Sequence, residues 1–149
     1  MSAACDQQRE ADVSQYYDLG DRTLWNPSNG ASRLFMNQIT VYQAEVSLPS
    51  GIGPMEADEC QIDPIAFAAF VDALLAWHSG TRHAVMATLS EGFVATVLAL
   101  AEAANIEVDW QAAERAESDY LKTASDPHAQ KWTAALREKS RGLVRHMGP

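Results

Sequence analysis

The chain has 149 residues, 47% hydrophobic and 21% charged, with a formal net charge of −9; this excludes a disordered polymer and provides for one domain core without disulfide or metal staples. A polyanion repels a phosphate backbone, so nucleic acid is not an expected partner. The longest apolar runs, residues 65–77 and 93–104, fall short of the roughly 20 residues of a bilayer span, and the opening MSAACDQQREADVS lacks the cationic start and apolar stretch of a secretory signal. The expected location is the cytoplasm, with no membrane contact.

The charge is unevenly spread. Residues 1–63 carry −7, residues 64–119 carry −6 and residues 120–149 carry +4. A basic C-terminal helix therefore follows an acidic body, and a basic protein is the partner such a body suits. Cys5 and Cys60 are the two cysteines. With one of them in an unstructured tail, two isolated thiols are expected and no disulfide.

In chain order, residues 1–14 show no period and form a tail. In YYDLGDRTLW, Tyr17 and Leu19 alternate before Gly20-Asp21, and Thr23 and Trp25 after it, the pattern of a short hairpin. The turn residues of NPSNG follow, where Ser28 or Asn29 can cap a helix. That helix is expected over residues 31–48, with Leu34, Phe35, Ile39, Tyr42 and Val46 on its core face, widened by Val41 and Leu48. PSGIGP breaks it, and a loop is expected to run on to Asp63. Asp63-Pro64 starts the next helix, with Phe67, Phe70, Val71, Leu74, Leu75 and His78 as its stripe and its end near Ser79-Gly80.

The stretch HAVMATL reads as a strand, from the alternation of Val85, Ala87 and Leu89. Ser90-Glu91-Gly92 then reads as a helix start, Asn105 as its left-handed end, and IEVDW as a further strand. A strand, helix and strand would make a crossover unit. Two amphipathic helices are expected over residues 111–122 and 129–147, separated by Asp126-Pro127. The second carries Trp132, Leu136 and Leu143 on one face among Lys131, Arg137, Lys139, Arg141 and Arg145, and is expected to dock onto its own domain. The fold class is α+β, predominantly helical, with a core domain over residues 15–110 and a C-terminal helical extension over residues 111–149. A monomer is favoured.

The phrases WNPSNGASRLF and SEGFVATVLALAE, within a likeness that covers roughly residues 16–109, resemble a small family of uncharacterised proteins of actinomycete bacteria. The resemblance implies a compact bacterial domain. It implies no activity, cofactor or catalytic residue.

Candidate sites come from the residues alone. Glu56, Asp58, Glu59 and Asp63 form the densest acidic group, but their spacing matches no calcium loop, and a partner-facing acidic loop is the preferred reading. Cys60, His78 and His83 are ligand types that zinc accepts, yet the paired spacings of zinc sites are missing. His78 also lies on an apolar stripe, as a hydrogen-bonded core histidine would. Cys60 with His78 or His83 is the candidate nucleophile and base pair. Ser90 lacks the G-x-S-x-G elbow, and Gly51-Ile52-Gly53 lacks the remainder of a dinucleotide or phosphate loop. Trp25, Asn26, Asn29 and Arg33 could hold a carboxylate or polar ring against an aromatic face, or the tryptophan could simply pack and the asparagines make turn hydrogen bonds.

No cofactor and no metal is expected. The function expected is that of a binding or regulatory protein, for instance an immunity-type inhibitor of a basic partner. The alternative is a small, metal-assisted enzyme using Cys60, His78, His83 and the acidic loop.

Overall fold

The computed structural model describes residues 14–81, 83–123 and 132–147. The N-terminal tail with Cys5, the Asp126-Pro127 reversal and Lys131 lie outside the described residues. In chain order the elements are β1 (Tyr16–Leu19), β2 (Arg22–Trp25), α1 (Asn29–Val46), β3 (Glu59–Gln61), α2 (Pro64–Gly80), α3 (Ala84–Ala103), α4 (Trp110–Thr123) and α5 (Trp132–Val144). The fold is α+β and predominantly helical.

The expected hairpin forms. β1 and β2 pair antiparallel around Gly20, whose φ of 60° supplies the left-handed turn residue. Tyr17 and Leu24 are buried beneath it. A third strand lies where a loop was expected: β3 pairs parallel with β1, setting Tyr17 against Cys60, in the order β2-β1-β3. It is reached through a tight turn at Ala57 and Asp58, both with positive φ, closed by reciprocal Glu56–Glu59 backbone hydrogen bonds.

Ser28 caps α1, its Oγ accepting from Ala31 N–H at 3.3 Å. Ser32, Phe35 and Ile39 are buried, with Tyr42 and Val46 half-buried beside them. Leu34, Val41 and Leu48, expected on the core face, are instead 62%, 57% and 38% exposed. The reason is angular: consecutive helical residues are about 100° apart, so an arc centred on Phe35 and Ile39 turns Leu34 and Val41 to solvent.

Asp63 caps α2 as expected, its Oδ1 accepting from Ile65 and Ala66 N–H at 3.0 and 3.3 Å. All six residues of the α2 stripe are buried.

The region after residue 83 differs from its expected form. Residues 84–89 form the first turns of a continuous α3 rather than a strand, so the helix is 20 residues long. Ala84, Met86, Ala87, Leu89 and Glu91 are good helix formers, and they outweigh the less favourable Val85, Thr88, Ser90 and Gly92. Ser90 does not cap a start, because its hydroxyl donates back to Met86 C=O at 2.8 Å inside the helix. α3 is thereby long and apolar enough to cross a membrane by length and composition, and 56% of its apolar window is buried in this fold.

Asn105 takes the expected left-handed conformation, with φ of 56°. No strand forms at residues 106–109. Asp109 Oδ1 instead accepts from Ala112 N–H at 3.0 Å and caps α4. The crossover unit is therefore absent from this region.

α3 is the central helix, packed against α2 and α5, while α4 lies on α2 and α5. α1 reaches α3 through its rings: Tyr42 stacks on Phe93 at 4.3 Å, and Phe35 meets the same ring at 5.6 Å. The basic helix α5 docks onto its own domain, burying Leu136 and Thr133. Glu117 of α4 fixes its start by accepting from Thr133 N–H and Oγ1, both at 2.8 Å, so a carboxylate meets the positive end of a helix. Arg137–Glu114 at 3.7 Å and Lys139–Glu91 at 3.3 Å lie at its exposed edge, where ion pairs contribute little.

Candidate functional site

The structure disperses the residues proposed for catalysis. Cys60 lies in β3 at the N-terminal end of α2 and is buried, and burial, with Asp18 nearby, pushes its thiol up to about 12. At neutral pH it is an un-ionised core thiol, the opposite of an activated nucleophile. His78 lies in the last turn of α2, and the helix between it and Pro64 rises about 21 Å. His83 is exposed at the start of α3 and makes no side-chain cap. Among the described residues, no three His, Cys, Asp or Glu side chains gather where they could hold a metal ion.

His78 holds two helices together. Its Nδ1 stands 2.9 Å from Ser90 Oγ, and both groups are buried. The Ser90 proton is directed at Met86 C=O, so the geometry assigns Nδ1–H as the donor to Ser90. Burial lowers the His78 pKa below its ordinary value, and the nearby Glu91 carboxylate opposes that shift in part. As pH falls through about 6.5, the unfolded chain takes up a proton that the folded His78 resists, so stability declines with falling pH. The decline continues until the folded imidazole also protonates. Denaturant midpoints measured from pH 7.5 downward should therefore fall before the carboxylates titrate, and His78→Asn, which keeps a donor near Nδ1, should flatten that early slope. An unchanged slope in the variant would assign the pH dependence elsewhere.

Trp25 serves the core. Its ring lies 4.9 Å from Tyr17 and 5.1 Å from Phe35, and the Tyr17 hydroxyl is 2.8 Å from Ser32 Oγ beneath them. Asn29 is half-buried at the first position of α1, while Arg33 is exposed on the same helix. The pocket imagined from Trp25, Asn29 and Arg33 thus has an aromatic floor already filled by the protein's own rings.

The acidic loop is ordered and outward. Glu56, Asp58 and Glu59 are exposed around the turn that leads into β3, and Asp63, also exposed, is used as a helix cap. Sequence reasoning thus placed these carboxylates on the surface while missing the strand that holds them there.

Two surface features went unforeseen. Between α1 and the first half of α3 lies a groove of about 160 Å³ with Tyr42 and Trp77 at its base and Val41, Met86 and Leu89 on its walls. Leu34 continues the α1 wall, a heptad before Val41, and Val85 continues the α3 wall, one turn before Leu89. The signal was present in the seven-residue spacing of Leu34 and Val41, which places them on one face of α1 that residues 32, 35 and 39 do not share.

The second feature is a polar cleft of about 350 Å³ between the residue 102–110 segment and α5, lined by Glu102, Glu107, Trp110, Arg137 and Arg141. Arg137 covers the Trp110 ring at 5.2 Å. The same guanidinium also pairs with Glu114 of α4 at 3.7 Å.

No curated protein and no solved structure matches the chain. The likeness read over residues 16–109 extends further than those motifs suggested, because one family model takes in both the sheet and the basic helix α5. Matched over residues 13–149, the chain belongs to DUF6086, a family of unknown function.

Proposed function

We propose that this protein is a small, acidic, cytoplasmic binding or regulatory module that acts by docking to a basic protein, as an immunity-type inhibitor does. The observation that supports the reading is the exposure of neighbouring large apolar side chains on α1 and α3, Leu34, Val41, Val85, Met86 and Leu89, on a body that carries net negative charge. Large apolar side chains clustered in water are unfavourable, and a contiguous patch of them commonly marks an interaction surface. The exposed carboxylates of Glu56, Asp58 and Glu59 add long-range attraction for a basic surface, which raises the rate of encounter more than the final affinity. The enzyme alternative has less to draw on, since Cys60, His78 and His83 occupy separate places and the thiol is held protonated.

The test is to isolate the complex from cells, identify the protein present in stoichiometric amount, and rebuild the complex from purified parts. The partner should be basic, and association should slow by about tenfold or more as salt is raised. Replacing Glu56, Asp58 and Glu59 together with Lys should slow association by a similar factor, while Cys60→Ser should leave it unchanged. Partners that are uniformly acidic, or an association rate indifferent to salt, would overturn the reading.

A further inference from the structure

We propose that the groove between α1 and the first half of α3 is the docking site for an amphipathic helix of the basic partner, a helix with an apolar stripe flanked by Lys or Arg. This deepens the binding reading above and rests on it. Three observations carry it. The first is shape and chemistry: the base and walls of the groove are aromatic and aliphatic, with Glu45 as the one carboxylate among its lining residues, which is how grooves that accept helices are built. Along α3 the exposed wall runs from Val85 to Leu89 and on to Gly92, at helical spacings of four and three.

The second is Gly92. Glycine inside a helix is unfavourable relative to alanine, and a Cβ at this position would meet nothing within 4 Å. The fold therefore gains nothing sterically from its absence. An exposed glycine one turn beyond the pair Val85 and Leu89 leaves the helix surface low enough for another chain to approach closely.

The third is charge, with a precedent inside the molecule. α5 is a basic amphipathic helix lying on a different face of α3, where Trp132 and Ala135 share a pocket with Ala87, Thr88 and Glu91. It buries Leu136 and sets Lys139 beside Glu91. The groove offers a comparable surface on the same helix, and α5 is already engaged elsewhere. A second copy of this chain would bring together two bodies of net charge −9, which repel, whereas a basic helix is drawn in and finds Glu45 at the rim.

The probe is a synthetic helical peptide with Leu and Ala on one face and Lys on the other, compared with a twin carrying Glu in place of Lys. The Lys peptide should bind, and the twin should bind at least about tenfold more weakly. Amide shifts on binding should concentrate in residues 34–45 and 85–96. Leu89→Asp, Val41→Asp and Gly92→Leu, all at exposed positions, should each weaken binding by about tenfold with the circular dichroism unchanged. Gly92→Ala should raise the melting temperature of the free protein; a lower one would show that the fold itself needs the glycine and remove that support.

If the Lys peptide binds but its shifts map to the residue 56–59 turn, the groove proposal fails and the binding reading survives. If no cationic peptide binds anywhere, both fail. A dimer that Leu89→Asp dissolves would make a second copy the occupant and overturn the choice of partner.

Discussion

Gly51→Ala should destabilise the protein by about 3 kcal/mol, the sum of two separable effects. Gly51 has φ of 77°, a conformation that costs an L-residue about 1–2 kcal/mol. A Cβ there would also lie 2.6 Å from Phe67 N and 2.8 Å from Asp63 C=O, both of them backbone atoms of the first turn of α2 and its cap. Overpacking of this kind adds about 1–3 kcal/mol. The neighbourhood has little room to yield: Gly51 C=O accepts from Asp63 N–H at 2.8 Å, and Ser50 N–H donates to Gln43 Oε1 at 2.9 Å. Gly20 is the control. Its φ is 60°, but a Cβ would meet nothing within 4 Å, so Gly20→Ala should show the conformational part alone, about 1–2 kcal/mol. Urea midpoints of the two variants decide the point, and equal losses would show that the contacts around Gly51 relax without cost.

That contrast also marks what could be read from the sequence. Helix starts at Ser28 and Asp63-Pro64 were legible because capping is local: an oxygen two or three residues before a free N–H suffices. The hairpin was legible for the same reason, with Gly20 placed between two short alternating runs. β3 was not, since a three-residue strand with Cys60 as its single buried side chain leaves almost no pattern. Its approach also depends on positive φ at Ala57 and Asp58, residues that do not announce such a turn.

The error at residues 84–92 has a clear physical source. Val85, Ala87 and Leu89 alternate as a strand would, but only Ala87 is buried, so the period of two was a coincidence of a solvent-facing helical surface. Misreading it hid one wall of the groove, and assigning Leu34 and Val41 to the core hid the other. The candidate site was illegible for this reason: the same apolar residues signal a core or a docking face, and only tertiary packing decides which. The chemistry of Cys60 and His78 posed a similar ambiguity, which burial resolved for each residue separately.

The ring of Phe93 is where the two walls of that groove are joined, and Phe93→Ala should have the largest effect of all. Phe93 is 3% exposed, stacked almost parallel on Tyr42 with an interplanar angle of 6°, and in contact with Phe35. Removing a buried phenyl ring typically costs about 3–5 kcal/mol, through lost transfer energy and the cavity left behind. Against a total of about 5–15 kcal/mol for a domain, that is enough to leave the variant partly unfolded near body temperature. The upper end of the range is expected here. The cavity would open at the centre of α3, between helices already held by α2 and α5, so neighbouring groups cannot collapse into it freely. Phe93→Leu should lose much less, about 1.5 kcal/mol or under, because most of the volume is retained, although the stacking on Tyr42 is forfeited. The pair of variants separates volume from aromatic geometry. If Phe93→Leu proves as damaging as Phe93→Ala in denaturant unfolding, the stacked arrangement with Tyr42 rather than the filled volume holds α1 to α3. The consequence for binding follows the same line: a Phe93→Leu protein that stays folded but lets α1 shift should lose affinity for the helical probe while its sheet and its α5 contacts remain intact.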